Sequence, residues 1–553
     1  MNTVEQALKD NPNVEYVKTI TSKGLGRLST LGVSGGGVTA PPVIIVAKMD
    51  DNHAEALRQG GGGHLVVEQD HHLYYTGPGI APTPIPSPAV LTPSASSMTF
   101  TITVLAKDSN KPLPDVEVYL FGPMLPAQGV TDANGQAKVT VFGASADTLR
   151  GLYVNPKADY WGHWVSHPLL DPNANNVITV MPLSDFFPDF PNQPVMGWGQ
   201  KAMKMDQLPT QYQGQGTRIV VIDSGAAADT HDNLHPLFKG GIDITAPDSA
   251  NGWSNDTVGH GSHCSGIIAG LNTGHGIRGF APGAEIFAYK IFPGGAFSDL
   301  INALDDCIDN QIDVVNLSLG SDQPSQLLAN KFRQAKEAGI ACIVAAGNSG
   351  GPVQFPASLP TVLAVAAIGK QGEFPPDSFH ATQIAPSGIT STGYFSASFS
   401  CFGPEVGVCA PGVAILSSVP PNNFAVWDGT SMATPHISGL AALILAHHPD
   451  FQPGGAFSAR DGRRVDRLFQ ILQQSAQPIG LTDPARTGAG LPDAARAFSM
   501  TAQSASLTGV GANVNGLTFG QGGNGNSTNF GLPSDTIAAV VAAVAKEIAR
   551  QNA

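Results

Sequence analysis

The run RIVVID, residues 218–223, is continuously apolar after its first residue and closes on an acid. Three further runs of this kind follow: DVVNLSLG (313–320), IACIVAAGN (340–348) and TVLAVAAIG (361–369). Between them lie helix-patterned stretches such as SDLINALDDCIDN (298–310) and LLANKFRQAKEAG (327–339). Strands apolar on both faces that alternate with helices predict an α/β domain built on a doubly wound, mostly parallel sheet. Ligands of such sheets sit at the carboxyl ends of the strands.

Chemically capable residues fall at those ends. Asp223 closes the first strand, and Asn348 ends the strand IVAAGN beside Gly347. His260 stands in GHGSHCSGIIAG (259–270), where Gly261 permits close approach and an apolar helix follows. In GTSMATPHISGLAALILA (429–446) a Gly-Thr-Ser turn runs straight into an apolar helix, so Ser431 sits in its first turn. Unpaired N–H groups and the positive end of the helix dipole favour negative charge there. Pro435 is tolerated because it lies early in the helix. A serine hydroxyl needs a base at neutral pH. An imidazole supplies one, and a buried carboxylate fixes its tautomer. The oxyanion then needs donors, which the Asn348 amide and the Ser431 N–H supply. Taken singly, these residues read as a strand-end carboxylate, a cap, a turn former and a capping serine. Jointly, those plain readings require four coincidences.

The segments VVIDSG (220–225), GHGSHCSG (259–266), NLSLG (316–320), AAGNSG (345–350) and GTSMATPH (429–436) resemble, in this order, the subtilisin-like serine proteases. The resemblance runs from about Met196 to Met500 and takes in GFAPGAEIFAYKIF (279–292), SFSCFGPEVGVCAPG (398–412) and GLPDAARA (490–497). It implies a serine endopeptidase acting through an acyl-enzyme, with Asp223, His260 and Ser431 as the triad and Asn348 as oxyanion donor. It also implies that an extended peptide pairs with Ser318-Leu319-Gly320 on one side and Gly294-Gly295-Ala296 on the other. Ala345, Ala346 and Gly347 would wall the primary specificity pocket, and Gln354 would form its floor. His263 matches a structural histidine, and Cys264 matches the proteinase K branch, where a thiol lies beneath the catalytic histidine. No cofactor is required and no metal belongs to the catalytic set. The family's strong calcium site uses an acid shortly after the catalytic aspartate and a loop after the histidine helix. Here Asn233 and Leu271-Asn272-Thr273-Gly274-His275 stand at those positions, so the charge is missing. Asp243, Asp248 and Asp256 read as solvated loop acids, with calcium as the alternative.

Charged residues make up 13% of the 553, Gly 64 and Pro 43, which suits a loop-rich globular chain of several domains. A net charge of −14 without a Lys/Arg cluster argues against a nucleic-acid partner. No apolar run approaches the length of a membrane span. MNTVEQALKDNPNVEYVKT lacks an apolar leader core, so the expected location is cytoplasmic or outside the cell by a leaderless route. The five cysteines, Cys264, Cys307, Cys342, Cys401 and Cys409, form no metal spacing and read as buried free thiols.

Residues 1–76 read as a small α/β unit: VIIVAKM (43–49) a strand, DNHAEALRQ (51–59) a helix capped by Asp51, and HLVVEQDHHLYY (64–75) a strand, with a Gly60–Gly63 joint. His53, His64, His71 and His72 have no ligand spacing and read as surface histidines. The two strands resemble those of inhibitory propeptides, which makes this unit a candidate inhibitor of the same chain. Residues 77–97 form a Pro-rich linker. The alternating runs 98–108, 116–122 and 136–143 predict an all-β sandwich over 98–182, which resembles carboxypeptidase-regulatory or transthyretin-like modules. A second linker at 183–198 is the expected processing region, before the protease domain at 199–500. Beyond it lie a Gly/Asn-rich segment, 501–533, and an amphipathic helix, 534–551. The expected partners are polypeptide substrates. The alternatives are a catalytically silent binding protein that works through the sandwich, and an enzyme dedicated to processing one partner.

Overall fold

The computed structural model describes residues 2–21, 43–60, 65–75, 97–123, 126–143, 145–271 and 273–499. In the domain after residue 199 the chain forms β1 (Arg218–Asp223), β2 (Phe238–Asp243), α1 (His260–Ala269), β3 (Glu285–Lys290), α2 (Phe297–Asp309) and β4 (Val314–Leu317). It continues through α3 (Gln326–Glu337), β5 (Ala341–Ala345), β6 (Leu363–Lys370), β7 (Tyr394–Ser396), β8 (Val406–Pro411) and α4 (Thr430–His447). The strand order is β2-β3-β1-β4-β5-β6-β7, and β8 also pairs with β6. Every pairing is parallel except β6 with β7.

Continuous apolar strands arise because both faces are covered. Ile219 and Val221 belong to one buried cluster with α1 and α4, whereas Val220 and Ile222 belong to another with α2 and α3. Strand β1 lies between β3 and β4, where the winding reverses, so its carboxyl end opens onto the crevice such sheets use for ligands. The run 313–320 does not remain one strand. After Leu317 the chain leaves the sheet, and Leu319–Gly320 pairs antiparallel with Tyr74–Tyr75.

Upstream, helix Asn2–Asp10, strand Glu15–Thr21, strand Val43–Lys48 and helix Asp51–Gly60 make up the first unit, with the two strands antiparallel. The cap of the second helix is Asp50, whose Oδ1 accepts from His53 N–H at 2.9 Å, and not Asp51 as expected. Of the expected strand 64–75, only Tyr74–Tyr75 is a strand among the described residues, and those before it bond to the large domain, chiefly to its backbone. Glu68 accepts from Ser325 Oγ (2.6 Å) and Gln326 N–H (2.7 Å) at the start of α3, and Asp70 accepts from Ser298 N–H (2.9 Å) at the start of α2. Acids at two helix N-termini are favoured both by the orphan N–H groups and by the dipoles. Lys18 adds an ion pair to Asp299 at 2.7 Å.

Residues 97–182 form two sheets facing one apolar core. One has the order 175–180, 97–106, 136–142, and the other 127–130, 117–121, 151–155, 163–166. Phe100, Ile102, Val104, Val118, Leu120, Val139, Leu152 and Val154 fill the space between. The turn at TDANGQ closes because Asp132 Oδ1 accepts from the N–H groups of Asn134 and Gln136, while Gly135 takes a left-handed φ of +72°.

Residues 183–198, expected as a linker and processing region, are instead packed. Leu183, Phe190 and Trp198 are buried in the same cluster as α1 and α4, and Trp161 of the sandwich joins them. The aromatic residues of this stretch join the two units. The expected linker at 77–97, the glycine joint and the segments 501–533 and 534–551 fall wholly or almost wholly outside the described residues.

Candidate active site

Asp223 and His260 meet because α1 begins directly over the end of β1. Gly261 makes that approach feasible: a Cβ there would stand 2.1 Å from Gly225 O. His260 Nδ1 lies 2.8 Å from Asp223 Oδ1 and 2.9 Å from Oδ2, with both side chains essentially fully buried. A carboxylate can only accept, so Nδ1 carries the proton and Nε2 is left as the basic nitrogen. Nε2 makes no hydrogen bond to the described residues.

A residue whose importance the sequence did not reveal holds this corner. Asp256, read as a solvated loop acid, is buried and accepts from Gly259 N–H (2.7 Å), Ser262 N–H (3.0 Å), Ser262 Oγ (2.6 Å) and Ser224 Oγ (2.9 Å). Ser224 Oγ accepts in turn from Gly261 N–H at 2.9 Å. Asp256 thus caps α1 and ties it to the residue after Asp223. The only sequence signal was an acid four residues ahead of a histidine helix. Asp243, also read as solvated, is buried and closes a turn by accepting from Thr245 and Ala246.

Ser431 enters from α4. Ser318 Oγ donates to Ser431 O at 3.0 Å, Cys264 Sγ lies 3.4 Å from the same oxygen, and Ser431 Oγ is 3.4 Å from Ser318 O. Cys264 is one turn beyond His260, so this thiol spans the histidine helix and the serine turn. Burial pushes its pKa well up, which makes it a neutral packing group and no rival nucleophile. Asp223, His260 and Cys264 are also the only trio of metal-capable side chains among the described residues, and a thiol that keeps its proton is a poor ligand. All five cysteines are buried and unbridged.

Asn348 Oδ1 accepts from Thr430 N–H (2.9 Å) and Thr430 Oγ1 (2.7 Å). The carbonyl end of the amide is thereby fixed, and Nδ2 points to the Gly429–Ser431 turn, 3.3 Å from where a Cβ on Gly429 would stand. His263 stacks flat on Trp427 with ring centroids 4.6 Å apart, and burial, aided by nearby His260, holds its pKa down at about 3. It is neutral at physiological pH and serves as packing.

Of the residues expected to bind peptide, Gly320, Ala346, Gly347 and Gln354 lie together. Gly347, in a left-handed conformation, approaches Gln354 so closely that a Cβ would meet its Oε1 at 2.3 Å, and Gly320 faces the same oxygen. Gln354 N–H donates to Ala346 O at 3.0 Å, and its Nε2 donates to Asp322 at 2.8 Å. The two segments expected to flank a peptide pair with residues 72–75 of the chain itself. Tyr74–Tyr75 pairs with Gly320 and Leu319, Leu73 N–H donates to Gly295 O at 2.8 Å, and His72 bridges Ala296. Leu73 is buried, and the ring of Tyr75 lies 5.2 Å from that of His260.

The calcium site implied by the resemblance does not fit these residues. Asn233 Nδ2 donates to the carbonyls of Leu271 (2.8 Å), His275 (3.1 Å) and Ile277 (3.2 Å), and Oδ1 accepts from Ile277 N–H at 3.0 Å. Three converging carbonyls suit a hard cation. Here a neutral amide fills their centre, and its orientation is set because the carbonyls can only accept and share the two N–H donors of the NH₂, while Ile277 N–H needs the oxygen. The loop is closed tightly on it: a Cβ on Gly276 would stand 1.8 Å from Asn233 Oδ1. Chelator should therefore leave the melting temperature unchanged at this loop. Asn233→Asp should lower it by roughly 5 °C in chelator, through lost donors and three carbonyls facing a carboxylate, and millimolar calcium should restore it. Thermal melts of both proteins with and without calcium test this.

A doubly wound α/β domain with a buried acid–imidazole pair, and a helix-start serine tied to the histidine helix through Cys264, thus defines the class. Residues 214–490 match the model of the subtilase family. Subtilisin NAT of Bacillus subtilis subsp. natto is 35% identical over 263 residues, 46% of this chain and 61% of that protein. Subtilisin of Bacillus pumilus is 35% identical over 46% of this chain and 85% of its own length, and a thermostable alkaline protease of Halalkalibacterium halodurans is 32% identical over 51% and 68%. The chain belongs to the subtilase family.

Proposed function

We propose that the chain is a serine endopeptidase whose N-terminal unit occupies its substrate cleft until it is cut away. The observation that carries the reading is the buried Asp223–His260 hydrogen bond, which leaves Nε2 as the base, with Cys264 of the same helix 3.4 Å from Ser431 O. As Ser431 Oγ bonds to the substrate carbonyl carbon, its proton passes to His260 Nε2, and Asp223 steadies the imidazolium. Asn348 Nδ2 and the Ser431 N–H hold the oxyanion. The C–N bond then breaks, the departing amine takes the proton from His260, and water hydrolyses the acyl-enzyme by the reverse relay. The relatives' names, subtilisin and alkaline protease, agree with this chemistry.

The inhibitor reading is supported by residues 72–75, which lie between the two segments expected to grip a peptide, and by the two helix caps, Glu68 and Asp70. Strand pairing advances residue by residue. We therefore read the processing point as lying just after Tyr75, the last paired residue, and not in 183–198. We read residues 98–182 as a sandwich of the carboxypeptidase-regulatory kind, with no catalytic residue of its own.

Full-length protein incubated at neutral pH should label with a fluorophosphonate at Ser431, hydrolyse an unfolded protein such as casein, and acquire a new N-terminus within a few residues of 76. Absence of both labelling and hydrolysis refutes the protease reading. A new terminus inside 183–198, or a whole chain that hydrolyses peptides freely, refutes the inhibitor reading.

A further inference from the structure

The sandwich grips the strand that delivers Ser431. Strand Asn423–Trp427 pairs antiparallel with Ile415–Val419 and leads through Asp428 directly into Gly429-Thr430-Ser431. Near its start, Asp159 N–H donates to Phe424 O at 2.7 Å, and the Asp159 carboxylate accepts from Phe424 N–H at 3.2 Å. At its end, buried Asp428 accepts from Ala414 N–H and from His380 Nδ1, each at 2.7 Å. His380 belongs to the short helix Phe379–Gln383, which the sandwich also holds. Tyr153 stacks on Phe379 at 4.1 Å, Trp161 meets His380 edge-on at 5.6 Å, and Trp164 N–H donates to Asp377 O at 2.9 Å. Between its ends the same strand supports the histidine helix: Ala425 O and the Trp427 ring both contact His263.

Units joined by a polar, loosely packed seam move relative to each other, whereas a large apolar seam immobilises them. Trp161 and Leu183 are part of the catalytic domain's own core cluster, so this seam is of the second kind. We infer that the sandwich is a positioning module retained by the mature enzyme, with Asp159 and Tyr153 holding the 423–428 segment so that Ser431 meets His260 at reacting distance. The inference rests on the protease reading. Its physical weight comes from geometry, since a displacement of about 1 Å from the productive arrangement can cost on the order of a hundredfold in rate.

The test compares Asp159→Gly and Tyr153→Ala with Asp159→Asn and Tyr153→Phe in the full chain, with active sites counted by fluorophosphonate titration. Asp159 is left-handed at φ +64°, which Gly and Asn both accept, so Asp159→Gly removes the acceptor without backbone strain. Per titrated site, kcat should fall roughly five- to fiftyfold in Asp159→Gly and Tyr153→Ala with KM within about twofold, and Asn and Phe should restore it. Titration removes any misfolded fraction, and Asp159→Gly stands in should Tyr153→Ala not fold. Parental kcat per site in Asp159→Gly overturns the inference whatever the melting temperature does, as does an equal loss in the Asn and Phe variants. A parent chain that takes no label at all overturns the protease reading instead.

Discussion

Ser431→Ala should lower peptide hydrolysis by on the order of 10⁶-fold and abolish fluorophosphonate labelling, with the chain remaining whole at 57.1 kDa. The magnitude is the one established for subtilisin, a family relative. The reason for a loss this large lies in the partition of labour. Without the hydroxyl, the Asp223–His260 pair has no proton to take, and only cleft binding and the oxyanion donors still act. Folding should be spared, because the helix start keeps Ser318 Oγ on the residue 431 carbonyl, a contact alanine preserves. Parallel melting curves and a time course on a denaturing gel separate a silent site from an unfolded one. A variant that still trims its own N-terminus would show that another group, or another protease, makes the cut.

The second large effect belongs to Asn348. Asn348→Ala should reduce kcat by about 10²–10³-fold with little change in KM, because the donated hydrogen bond strengthens only as charge develops on the attacked carbonyl. This size, too, is that of subtilisin's corresponding donor. In this chain the amide is held by Thr430 through both its N–H and its hydroxyl, so Nδ2 needs no reorientation during the reaction. Alanine also leaves those Thr430 groups without their acceptor, a modest stability cost of about 1 kcal/mol. Steady-state kinetics normalised to titrated sites isolates the catalytic loss from that cost.

The sheet was legible in the sequence because buried parallel strands write themselves as unbroken apolar runs. RIVVID, the core of DVVNLSLG and IACIVAAGN all lie on adjacent strands. The contact of Asp223 with His260 was legible from strand-end placement and from the glycine after the histidine. Asp256 was not, since an acid that will be buried among backbone and hydroxyl donors looks the same in sequence as one left in water. Asn233 was equally opaque: its three carbonyl partners lie 38 to 44 residues downstream, and no local pattern announces them. The stretch 183–198 misled for a different reason. Proline and acid among aromatics read as a connector, but Phe186, Phe187 and Phe190 pack around Trp161 and Phe424, partners that only the folded chain supplies. Helix Asn2–Asp10 leaves little trace in the sequence because its polar residues outnumber its apolar ones, and Glu5 bonds to Tyr16 and Thr19 of the neighbouring strand.

The amide of Asn233 has a thermodynamic corollary. A loop fastened by a bound ion gains RT ln(1 + [ion]/Kd), so its firmness rises and falls with the medium. A loop fastened by a side chain carries no such term. Dilution, phosphate or a competing chelator cannot loosen it, and only heat, denaturant or mutation can.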